Sequence, residues 1–197
     1  MPLAATAVVI SLWAVSWGIA AIWSRRTEAR PSTIDQAVHL IPTIFGAVLL
    51  SVGARVRFAG RYHAIGGTPL WRLPDSVGWT MFTICVLGLA FTWWARLTLG
   101  DLWSSSVSRK EDHTIVEKGP YRLVRHPIYT GLDLAFAMLA LQLATPAGLV
   151  GACFIMFGFW LKARLEERFL SAQLGEAAYA DYRRRTPMLV PFWPARG

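Results

Sequence analysis

The chain has 197 residues, of which 54% are hydrophobic and 16% charged, with ten Trp and ten Phe. A soluble domain carries about a quarter charged residues, so the composition excludes an ordinary soluble globule, and the apolar content excludes a disordered chain. Twenty Lys and Arg against twelve Asp and Glu give a net charge of +8, which beside long uncharged runs points to the cytoplasmic face of a bilayer rather than to nucleic acid.

Residues 2–23 form 22 positions without a charge, enough to cross about 30 Å of hydrocarbon. Arg25 and Arg26 follow this run instead of preceding it, so it reads as a retained helix rather than a signal peptide. Residues 38–54 give a second uncharged run of 17, at the short end of the spanning range, with Pro42 expected in its first turns. Its length leaves a full crossing open. A third run covers residues 76–95, with Trp79, Trp93 and Trp94 where interfacial aromatics belong.

The last apolar region lies between Arg125 and Lys162, 36 positions without a basic residue and with Asp133 as the single acid. It is too long for one span and suits two short ones. Ala144-Thr145-Pro146-Ala147-Gly148 at its middle supplies the turn of a helical hairpin. The expected architecture is an all-α integral membrane protein with about five transmembrane helices. Residues 1–95 would hold three spans, and residues 96–197 the hairpin with its flanking polar segments. Cys85 and Cys153 sit in apolar runs and imply neither a disulfide nor a metal site.

An odd number of spans places the termini on opposite sides. Segments 24–37, 96–130 and 162–197 then share a side with sixteen of the twenty basic residues, against four in 55–75. The bias puts the C-terminus in the cytoplasm, at the inner membrane if the source is bacterial. Neither a nucleic acid nor an obligate protein partner is indicated.

Chemistry concentrates after Arg96. The string Gly119-Pro120-Tyr121-Arg122-Leu123-Val124-Arg125-His126-Pro127-Ile128-Tyr129 carries two prolines, so it reads as a compact loop with a helix starting near Pro127. Freed backbone N–H groups and Tyr rings there suit a polar ligand. Interfacial anchoring by Tyr121 and Tyr129, with Arg122 and Arg125 on lipid phosphates, is the plainer alternative. A second cluster follows the hairpin: Lys162, Arg164, Glu166, Glu167 and Arg168, then Leu170 and Leu174. It reads either as an interfacial amphipathic helix with a Lys162–Glu166 pair or as an acid placed to meet a cationic ligand. Glu167 points about 100° from Glu166 on a helix and is expected to face elsewhere.

These motifs resemble the isoprenylcysteine carboxyl methyltransferase family. The resemblance covers Gly119-Pro120-Tyr121-Arg122, Arg125-His126-Pro127, Tyr129, Gly131, Glu166-Glu167, Leu170, Gly175, Tyr179, Tyr182 and Leu189-Val190-Pro191; phospholipid N-methyltransferases share the module more loosely. It implies a membrane enzyme using S-adenosylmethionine on a lipophilic acceptor. By motif position, His113, Thr114, Ile115 and Val116 would form one wall of the cofactor site, with Ser106 as a further contact. Tyr121, His126, Pro127, Ile128 and Tyr129 would form the other, with Glu166 on the cofactor's polar end. Lys162 stands where the family has an arginine for the acceptor carboxylate, and Met188 replaces another arginine near the end. His126 is the nearby group with a near-neutral pKa, relevant if an acceptor must lose a proton. A sterol-type reductase using NADPH, with a related C-terminal module, and a non-enzymatic membrane scaffold are the competing readings.

Overall fold

The structure is a computed structural model that describes residues 1–23, 33–59, 68–100, 116–174 and 176–193. Its elements are α1 (Pro2–Ala20), closed by a short 3-10 turn at Ala21–Trp23, then α2 (Thr33–Ala59) and α3 (Asp75–Leu99). A 3-10 turn at Gly119–Arg122 precedes α4 (Pro127–Leu143), α5 (Pro146–Leu174) and α6 (Glu176–Arg185). α1, α2, α3 and α5 are long and apolar enough to cross a membrane, and α4 is a shorter apolar helix of 17 residues. The chain is an all-α membrane protein.

Two expectations change. α2 runs 27 residues and begins before Asp35, so Pro42 lies inside the helix rather than in its first turns. Its length is sufficient to span. The hairpin arms are unequal: α4 has 17 residues and α5 has 29. Lys162 to Leu174 therefore continue α5 without a break instead of forming a separate interfacial helix. No Gly or Pro interrupts residues 159–174, and Leu, Lys, Arg, Glu, Ala and Gln are strong helix formers. The hairpin turn falls where expected. Ala144 adopts a left-handed conformation with φ 54° and closes α4 by donating its N–H to Ala140 O at 3.0 Å.

α2 and α5 lie antiparallel on a seam of small residues, the close-approach mode of membrane helices. A Cβ on Gly46 would fall 2.5 Å from Gly151 O and 2.8 Å from Ile155 N. Further along, Gly53 meets Gly148 and Gly158 meets Thr43 and His39 O. α4 occupies the centre, packing Ala140 and Leu143 with Leu50, Ala152 and Ile155, and Leu132 and Ala135 with Cys85 and Leu89.

The two ends of the bundle are distinguished by their contacts. At one end Leu70 N donates to Ala144 O at 2.7 Å, and Trp71 Nε1 to Leu141 O at 3.0 Å. At the other, Arg96 donates to Ala20 O and Gly100 O, at 3.0 and 2.8 Å. The polar motifs gather at this second end.

Candidate active site

The loop entering α4 is shaped by its sequence. Gly119 has φ +59°, and a Cβ there would sit 3.1 Å from Thr98 Oγ1, so both conformation and space require glycine. Pro120 then starts the 3-10 turn and Tyr121 is turned inward. His126 is the N-cap of α4 with Pro127 at the first helical position, where a missing N–H costs nothing. Val124, Arg125 and His126 are all buried.

The C-terminal segment is strapped onto this loop by its backbone. Arg125 N donates to Pro187 O at 2.8 Å and His126 N to Met188 O at 3.1 Å. Thr130 Oγ1 donates to Leu189 O at 2.6 Å, and Tyr182 OH to Tyr121 O at 2.8 Å. Met188 serves the strap through its carbonyl, which any side chain offers equally. Burial pushes the Tyr121 and Tyr182 hydroxyls up, so both remain neutral donors.

At the centre His126 lies between two carboxylates of α5. Its Nδ1 is 3.4 Å from Glu166 Oε2 and its Nε2 3.2 Å from Glu167 Oε1. Burial opposes a charge on the imidazole, but hydrogen bonds and charges from Glu166 and Glu167 outweigh it and raise its pKa. His126 accordingly bridges the two acids, which favour its protonated form. Glu167 is further anchored by Arg125 Nε at 2.7 Å and by Arg183 Nε at 3.8 Å, while Arg125 Nη1 donates to Arg183 O at 3.0 Å and to Thr186 O. The expectation that Glu167 faces elsewhere and the lipid-phosphate alternative for Arg125 are both corrected. Two residues 100° apart on one helix still flank a ring inserted between them, and the Arg125-His126 pair meets both.

Glu166 differs from its neighbour in access. Its side chain is 21% exposed against 7% for Glu167, and Tyr129 OH donates to its Oε1 at 2.5 Å. Tyr129 stacks on His126 at 5.6 Å and on Phe159 at 5.5 Å, and Lys162 Nζ lies 5.4 Å from its ring centroid. The structure thus brings His126, Tyr129, Lys162 and Glu166 together, with Tyr121 in the adjoining turn. Arg164 turns to Trp160, 5.3 Å from that ring. Pro127 is fully buried at the helix start, and Ile128 packs toward the Cys85–Leu89 cluster, so its side chain belongs to the core. Val116 is half-buried just before the loop. Ser106, His113, Thr114 and Ile115 lie outside the described residues.

Arg125, Glu167 and Thr186 are the site residues that sequence reasoning missed. The available signal was the pair of adjacent acids facing an adjacent Arg-His pair.

Residues 80–172 match the sequence profile of the isoprenylcysteine carboxyl methyltransferase (ICMT) family. The chain is 33% identical over 155 residues to a methanethiol S-methyltransferase of Crocosphaera subtropica, covering 74% of this chain and 59% of that protein. It is 34% identical over 116 residues to the cobalt-zinc-cadmium resistance protein CzcN of Cupriavidus metallidurans, covering 56% and 49%. With protein-S-isoprenylcysteine O-methyltransferase B of Arabidopsis thaliana it shares 27% identity over 113 residues, covering 56% and 57%. The chain thus spans between about half and three fifths of the length of these relatives. The matched segment carries the buried His126 with Glu166 and Glu167, and from the second turn of α3 to the last turns of α5 the chain is similar to the ICMT family.

Proposed function

We propose that this chain is a membrane-embedded methyltransferase that draws its methyl group from S-adenosylmethionine and delivers it to a lipophilic acceptor. The observation that carries the reading is Glu166. It is the acid of the pair that keeps access to the outside, and it is oriented from both sides by Tyr129 and His126. The donor set suits the proposed cofactor: a fixed carboxylate for an ammonium group, an aromatic ring beside it, and backbone polar groups at a helix start. The family match and the relatives named as O- and S-methyltransferases support the same activity.

The chemistry available from a bound sulfonium cofactor is an electrophilic methyl group whose departure leaves a neutral thioether. The protein's tasks are then alignment and charge placement. Glu166 holds the cationic end, with His126 and Tyr129 keeping its carboxylate in place. Glu167 and Arg125 fix His126 and close the loop onto the C-terminal strap. Lys162, one turn before Glu166 and against the Tyr129 ring, positions the acceptor. Ser106, His113, Thr114, Ile115, Val116 and Tyr121 complete the cofactor contacts, with Pro127 and Ile128 supplying the helix start. The acceptor reaches the site from the apolar side and the cofactor from the cytoplasm.

Calorimetric titration of the detergent-purified chain with S-adenosylmethionine and, separately, with NADPH tests the reading. Binding of S-adenosylmethionine alone is expected, weakened at least tenfold by Glu166→Ala and by His126→Ala, since a hydrogen bond to a charged group is worth about 1.5–3 kcal/mol. Binding of NADPH alone supports a reductase, and binding of neither supports a scaffold.

A further inference from the structure

One acid of the hairpin is not used by the site just described. Asp133 is the single charged residue of α4, and its Oδ1 is buried with no hydrogen-bond partner among the described residues. A carboxylate oxygen left in an apolar helix without a partner is costly, and intramembrane acids of this kind mark functional positions. Its place on α4 is specific. Tyr129 and Asp133 are four residues apart and share a face. Tyr129 stacks on Phe159, and Phe136, three residues past Asp133, also meets Phe159 with centroids 6.4 Å apart. Asp133 therefore falls on α4 between two residues whose rings meet Phe159, one turn further along the helix than Tyr129, whose ring lies 5.4 Å from Lys162 Nζ.

An acid at depth and a cation at the mouth discriminate among methyl acceptors. A carboxylate needs no proton removed and would meet the like charge of Asp133. An amine that is protonated at neutral pH would meet the like charge of Lys162. A thiol suits both: its S–H gives a proton to a carboxylate, and the sulfur anion left behind is stabilised by a nearby ammonium. We propose that Asp133 is the catalytic base of this chain and that its acceptor is a lipophilic thiol. The inference rests on the methyltransferase reading given above. In the step, the acceptor sulfur forms a bond to the methyl carbon as the bond from that carbon to the cofactor sulfur breaks. The electron pair of the broken bond stays on the cofactor, which becomes a neutral thioether. The thiol proton goes to an Asp133 carboxylate oxygen, so one cation and one anion vanish together.

The test uses the full chain in detergent with labelled S-adenosylmethionine and three acceptors: dodecanethiol, thiophenol and N-acetyl-S-farnesylcysteine. Thiophenol is the more acidic thiol and is substantially ionised at mildly alkaline pH. The wild-type chain is expected to methylate dodecanethiol and leave the farnesylcysteine carboxylate unmodified. Asp133→Asn is expected to lower transfer to dodecanethiol by about 100-fold or more, the scale of general-base catalysis. It should leave S-adenosylmethionine affinity within twofold and retain transfer to thiophenol, because a pre-ionised thiol needs no base. Asp133→Glu is expected to restore part of the dodecanethiol activity. Equal loss on both thiols, lost cofactor affinity in Asp133→Asn, or full activity of that variant on dodecanethiol each overturns the role of Asp133. Methylation of the carboxylate in preference to the thiols overturns the acceptor class. Failure of the wild-type chain to bind S-adenosylmethionine is a separate result, and it overturns the methyltransferase reading itself.

Discussion

Glu167 carries the largest structural consequence of any single side chain at the site. With side-chain exposures of 5% and 7%, Arg125 and Glu167 form a buried pair that also holds His126 and Arg183. Removing one partner leaves the other charge buried without compensation, which costs about 3–5 kcal/mol. Glu167→Ala is therefore expected to lower the thermal midpoint in detergent sharply, while Glu166→Ala acts mainly on cofactor affinity; equal midpoints for the two variants would contradict this division. His126 adds a pH signature. Its pKa is raised in the folded chain above the ordinary 6.5, so the folded state binds the proton more tightly than the unfolded one. The stabilisation is complete below 6.5 and fades as pH climbs through the raised folded value. The thermal midpoint of the wild-type chain should therefore fall as pH rises above neutrality, and His126→Gln should flatten this part of the profile. Lys162→Ala, by contrast, is expected to reduce methyl transfer at least tenfold with cofactor affinity unchanged, measured by parallel transfer and binding assays.

The seam between α2 and α5 sets how closely the N-terminal half approaches the helix bearing Lys162 and Glu166. The groups that a side chain on Gly46 would strike are backbone atoms of Gly151 and Ile155, which cannot rotate away. Gly46→Leu is expected to wedge the helices apart, destabilising the chain by about 1–3 kcal/mol or more. Gly18→Leu is the matched control, since nothing lies within 4 Å of its Cβ position. A comparable loss of thermal stability in both variants would show that the seam is not the cause. This seam also marks where sequence reading stops. The start of α4 at Pro127 and the turn at Ala144 were legible, because proline chemistry and a long charge-free run fix both locally. The true lengths of α2 and α5 were not, because hydropathy marks where hydrocarbon begins and not where hydrogen bonding ends. At the site, Glu166, His126, Tyr129 and Lys162, singled out by the resemblance, come together in the fold. The place of Glu167 was not legible, since helical periodicity says which way an acid points but not that a histidine from another helix fills the gap beside it. The strap at residues 186–189 bonds through backbone carbonyls, which no side-chain pattern reports.

At the scale of the molecule, the contacts at the two ends fix which segments lie together, and charge then assigns the sides. Leu70 bonds to Ala144, so Leu70 and the hairpin turn share one end. Arg96 bonds to Ala20, and Arg125 and His126 bond to the 187–188 carbonyls, so the described ends of α1 and α3, the start of α4 and the 187–188 segment mark the other. Segments 24–37, 96–130 and 162–197 hold sixteen of the twenty basic residues, and from this excess we propose that the second end faces the cytoplasm. The consequence is functional as well as topological. A cytoplasmic Glu166 faces the compartment that holds a water-soluble methyl donor, whereas the opposite orientation would expose it outside the cell. Single cysteines at Leu70 and Arg184, both exposed, decide between the two when introduced with Cys153 replaced by Ser; Cys85 is buried. A membrane-impermeant maleimide added to intact cells should label position 70 and spare position 184 until the membrane is permeabilised. Labelling of 184 in intact cells with protection of 70 would invert the orientation and remove the proposed route of cofactor supply.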